Sequence, residues 1–91
     1  MKIPSKLKVG GHKIKIILKN LPDAYGQYEF EEGTITIHKD SPQSIKESTL
    51  IHEILHVINA TIGANQIGHS LLESLSEQLY QVLSDNKLLK E

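Results

Sequence analysis

His52, Glu53 and His56 lie within the stretch "STLIHEILHVINA", residues 48–60, at the spacing H-E-x-x-H. On a helix, residues four apart stand one turn above each other, so two imidazoles at this spacing can converge on one ion. Glu53 falls about 100° round the helix from His52, beside the pair and angled toward whatever the ion binds. Zinc takes neutral imidazole nitrogens at about 2.0–2.1 Å and, in catalytic sites, keeps one position for water. A carboxylate next to that water is placed to act as a general base. The plain alternative is three polar positions on a surface helix. Histidine is scarce enough that a chain this short carries the pattern by chance well under about 1% of the time, which favours a metal site.

Catalytic zinc sites use three protein ligands. Cysteine is absent, so the third ligand must be His, Asp or Glu. The later stretch "SLLESLSEQLYQ" places Glu73 and Glu77 four apart on one helical face, and Tyr80 continues that stripe. Two carboxylates at this spacing repel unless a cation lies nearby. Glu73 is therefore expected as the third ligand, with Glu77 accepting the N–H of a ligating histidine and orienting it. A competing role exists, because Ser70-x-x-Glu73 also reads as a capping box. Glu77, His69 and His38 are the alternative ligands; a single histidine in such a place is more often a solvated surface residue. An oxyanion needs a further donor. Tyr80 is the expected one, with Tyr25 and Tyr28 as alternatives, and each also fits a core or rim position.

The elements that must hold these groups follow from the pattern of apolar residues. In "HKIKIILKN", after Gly10-Gly11, Ile14, Ile16 and Leu18 alternate with Lys13, Lys15, Ile17 and Lys19, as in a half-buried strand. "LPDAYG" is a turn or loop. "QYEFEEGTITIHKD" reads as a hairpin, with Tyr28 and Phe30 on one arm, Ile35 and Ile37 on the other, and a turn at Glu32-Gly33. Ser41 as N-cap and Pro42 as first residue open a helix expected to reach Ile62, stopped by Gly63. Ile51, Ile54, Leu55 and Ile58 form its expected buried stripe, widened by Leu50 and Val57, with His52 and His56 on the opposite side. A second helix, capped by Ser70, carries Leu71, Leu72, Leu75, Leu79, Val82 and Leu83 at helical spacing. The expected fold is α+β, a small, mainly antiparallel three-stranded sheet packed on two helices.

The chain has 91 residues and a formal net charge of −1, which predicts one domain over residues 1–91. Its lysines are scattered and not interleaved with aromatics, so no nucleic-acid partner is expected. No run approaches the ~20 apolar residues of a membrane span, and the amino terminus lacks an apolar signal-peptide core. No membrane partner is expected, and the cytoplasm is the expected location.

"TLIHEILHVIN" followed by "ESLSEQLYQVL" resembles the zincin metallopeptidases of the gluzincin type. The likeness is nearer still to the minimal single-domain zincins of phage and mobile elements and to the core of the ImmA/IrrE-like peptidases. Ile62 stands where a metzincin would place its third histidine, which excludes that class. The resemblance covers most of the chain. It implies His52, His56 and Glu73 as ligands of Zn2+, Glu53 as catalytic base, and a peptide or protein as substrate. Two other functions compete. One is a structural zinc that staples two helices; the other is a non-catalytic regulatory or partner-binding module that keeps the zinc site.

Overall fold

The computed structural model describes residues 1–62 and 66–90. Four strands come first: β1 (Lys6–Val9), β2 (His12–Lys19), β3 (Gly26–Glu29) and β4 (Thr34–His38). Two helices follow, α1 (Gln43–Thr61) and α2 (His69–Asp85). The strands form one sheet in the order β1-β2-β4-β3. β1 and β3 pair antiparallel with their neighbours, whereas β2 and β4 run parallel, with Ile16 beside Ile35 and Leu18 beside Ile37.

The α+β class holds, but the expected three-stranded, mainly antiparallel sheet is corrected to a four-stranded mixed one. The missed strand is β1, whose four residues "KLKV" are too few for alternation to stand out. It folds back on β2 through Gly10 and Gly11, both at positive φ (57° and 82°). A two-residue hairpin turn with both central residues at positive φ matches the twist of the strands it joins, and glycine enters that region without strain. β4 takes the centre because it is apolar enough to be covered on both sides. Ile35 and Ile37 are fully buried, and Thr34 and Thr36 on the other face are nearly so. β1 and β3 are left as the two edges.

α1 lies on this sheet. Leu50 and Val57 join Val9, Ile14, Ile16, Ile35 and Ile37 in one buried cluster, with Tyr28, Ile54 and Ile58 packed against it. The buried stripe is thus centred on Leu50 and Val57, and Ile51 and Leu55 are only half-buried. The helix starts one residue later than expected. Pro42 is its N-cap, and the Ser41 hydroxyl donates to the His38 carbonyl instead of capping. The expected stop at Gly63 lies outside the described residues.

α2 corrects the second half of the expected architecture. It packs on α1 and on no strand, so the helices form successive layers. Leu72 and Ser76 are its buried residues, while Leu71, Leu75, Leu79 and Val82 are exposed along its outer side. Its apolar arc is wider than the strip α1 covers. Two polar clamps fix its angle. The Asn59 side chain, buried in α1, accepts from the Ile67 N–H at 2.9 Å and donates to the Ile67 carbonyl at 2.8 Å. Farther along, the Tyr80 hydroxyl donates to Glu47 Oε1 at 2.9 Å, and the Met1 ammonium lies 2.8 Å from Oε2 of the same carboxylate. No described helix is long and apolar enough to cross a membrane.

Candidate metal centre

The two histidines of α1 converge. Their Nε2 atoms lie 3.0 Å apart, with ring centroids 4.6 Å apart and the rings near perpendicular. Two nitrogens bound to one tetrahedral zinc at about 2.05 Å would stand roughly 3.3 Å apart, so this spacing fits a shared ion. Burial holds both imidazoles below their ordinary pKa, with the charge of His52 adding to the effect on His56. Each therefore keeps the neutral form, whose free lone pair is what a metal takes.

Glu53 sits between the histidines and the core. One ligand atom from each of His52, Glu53 and His56 falls within 4.8 Å of the other two. Glu53 is only 5% exposed, and burial pushes its pKa from an ordinary 4.5 up to about 7. A carboxylate poised there can take and return a proton at neutral pH. Its position one step round from His52 means that the helix face carrying Leu50 and Val57 also carries this acid into the sheet side of the cleft.

The cleft above these residues has a volume of about 480 Å³. α2 contributes Glu73, Ser76 and Glu77 to its wall, and the edge-strand side contributes Tyr25 and Gly26. Glu73 thus faces the histidines, although its carboxylate stands outside the tight His52–Glu53–His56 group. Its Oε1 lies 3.1 Å from Nε2 of His69, the first residue of α2, and that ring is 5.9 Å from the ring of His56. The capping box that competed for Glu73 does not form: Gly68 is the N-cap, and Ser70 lies within the helix. His38 stands apart at the end of β4, where its Nδ1 accepts the Asp40 N–H at 3.1 Å.

Two expected roles fall elsewhere. Glu77 lines the cleft, but the group beside His52 is Ser76, whose Oγ lies 3.1 Å from His52 Nδ1. Tyr80 is engaged with Glu47 and does not line the cleft, because it follows Glu73 by seven residues and so stands two turns farther along α2. Tyr25 is the phenol that does line it. Tyr28 borders a neighbouring cavity of about 510 Å³, which also touches Phe30, Glu53 and His56. Sequence reasoning missed Ser76 and Asn59. Ser76 had a signal, since it follows Glu73 by three and shares that helical face. Asn59 had none.

No family model, no curated protein and no solved structure matches this chain.

Proposed function

We propose that this chain is a zinc-dependent metallopeptidase. The observation that carries the reading is the convergence of two neutral imidazoles beside a buried carboxylate whose pKa lies near 7. His52 and His56 would hold the metal, with Glu73 as third ligand. An ion held there would supply a water acidified toward neutral pH and an electrophilic partner for a carbonyl oxygen. Glu53 takes the proton of the attacking water and delivers it to the leaving nitrogen. Its burial supports both halves of that task by disfavouring a carboxylate that stays permanently charged. Tyr25, which is 58% exposed on the cleft wall, is the side chain best placed to donate to the developing oxyanion.

The substrate lies extended along β3. β4 leads into α1 but is interior to the sheet, whereas β3 is an edge strand whose first residue lines the cleft. Backbone pairing with such an edge gives affinity with little side-chain selection.

The test uses the zinc-loaded chain and a library of unstructured peptides, with a chelator control. Glu53→Gln is expected to retain zinc and lose at least 100-fold in turnover, on the order of what a positioned base supplies. His52→Ala is expected to lose both zinc and turnover. Hydrolysis by Glu53→Gln at the parent rate overturns the assignment of the base.

A second reading, a partner-binding module on the same scaffold, draws on the exposed stripe of Leu71, Leu75, Leu79 and Val82. It is favoured if zinc binds stoichiometrically and no peptide in the library is cleaved.

A further inference from the structure

We propose that Ser76 is a positioning residue for His52, holding its ring in the Nδ1–H tautomer so that an unprotonated Nε2 points into the cleft. The inference rests on reading His52 as a metal ligand. Ser76 is 3% exposed, at the contact between the helices. Its Oγ lies 2.8 Å from the carbonyl oxygen of Glu73 and 3.1 Å from Nδ1 of His52. A hydroxyl carries one proton, and a carbonyl can only accept. Both contacts are hydrogen bonds in only one arrangement: the hydroxyl donates to Glu73, and the ring N–H donates to the hydroxyl. The lone pair of His52 is then on Nε2, the atom 3.0 Å from Nε2 of His56.

An imidazole free in water favours the opposite form, with the proton on Nε2. Ser76 therefore does work that the helix bearing the two histidines cannot do for itself. One turn of α2 serves the site twice: Glu73 offers its carboxylate to the cleft, while its backbone carbonyl orients the hydroxyl that orients His52. A neutral hydroxyl in this place fixes the ring without adding a third carboxylate to Glu73 and Glu77 on that wall. Groups that fix a ligating histidine in this way are worth about 10- to 100-fold in metal affinity.

The bland account is a buried serine bonding back to the carbonyl three residues earlier, a common way to satisfy a hydroxyl within a helix. It predicts no effect on His52. Nitrogen-15 NMR of the imidazole in chelator-treated protein at neutral pH separates the two. The Nδ1–H signature is expected for His52 in the parent, and a shift toward Nε2–H in Ser76→Ala. Zinc affinity, read by competition with a chromophoric chelator, is expected to fall about 10- to 100-fold in Ser76→Ala. The thermal midpoint of the zinc-free variant should hold or rise, since alanine is the better helix former. Ser76→Thr keeps the hydroxyl and is expected to keep the Nδ1–H signature. An Nε2–H signature in the parent overturns the proposal whatever the variants do, and so does unchanged zinc affinity in Ser76→Ala. Neither readout involves turnover, so failure to cleave peptides would overturn the peptidase reading alone.

Discussion

A carboxylic acid that is 5% exposed and raised by burial to a pKa of about 7 keeps its proton over a range where the unfolded chain has released it. Between the ordinary value of 4.5 and 7 the unfolded state binds fewer protons than the folded one, so stability falls as pH rises through that window. Above 7 the loss is complete, at about 3 kcal/mol for a shift of this size. Glu53→Gln removes the ionisation. In the presence of a chelator the variant is therefore expected to melt above the parent at pH 8, with the gap closing by about pH 4. A gap that does not change with pH would mean that Glu53 is not ionised in a buried place. The place of this residue beside the two histidines was legible in the sequence because H-E-x-x-H fixes angles on a helix. Its burial was not, since helical spacing alone does not say how closely a strand approaches. Ser76 was missed for a related reason: a hydroxyl is short, and only the real distance between two helices decides whether it reaches a ring.

Element packing sets such distances, and Gly26 controls how closely β3 approaches α1. The residue opens β3, and a Cβ there would run into Thr49 Cγ2 of α1 while lying 3.2 Å from the Thr36 carbonyl oxygen. It would also sit 3.6 Å from Glu53 Cγ. The glycine serves close approach, bringing the edge strand against the helix that bears the site. Gly26→Ala is expected to destabilise the fold by about 1–3 kcal/mol, as overpacked sites do, and to lower kcat/KM on peptides. Adding Thr49→Ala removes the methyl it strikes, so the double variant should recover part of the loss, a coupling that a mutant cycle of denaturant melts measures. Equal stability of Gly26→Ala and the parent would place the strand farther from α1. The same paired strands explain why the sheet was read only in part. Alternation of Ile14 with Ile16 and of Ile35 with Ile37 marks strands, but nothing in it says that β2 and β4 run side by side in parallel. The signal for β1 was present in Gly10-Gly11, a pair suited to a tight hairpin, with Leu7 and Val9 before it.

On the scale of the molecule the described residues stack in three layers, with α1 between the sheet and α2. α1 is held from below by the buried cluster around Ile35, Ile37, Leu50 and Val57, whereas α2 is held by Leu72 and the clamps at Asn59 and Glu47. A layer with few buried apolar residues opens at lower free energy than the core beneath it. Amide hydrogen exchange in chelator-treated protein is thus expected to be faster across residues 69–85 than across β4 and the centre of α1. Zinc gripped by His52 and His56 alone would protect α1 and leave α2 as it was. Zinc that also takes Glu73 ties the outer layer to the middle one, and ligand binding to the folded state stabilises every part that must be in place for it. Saturating zinc should then slow exchange in α2 by a larger factor than in the sheet, and Glu73→Gln should abolish that extra protection while the α1 amides keep theirs. If Glu73→Gln leaves the protection of α2 intact, the third ligand is not Glu73, and His69→Ala and Glu77→Gln, measured the same way, identify which neighbour takes its place.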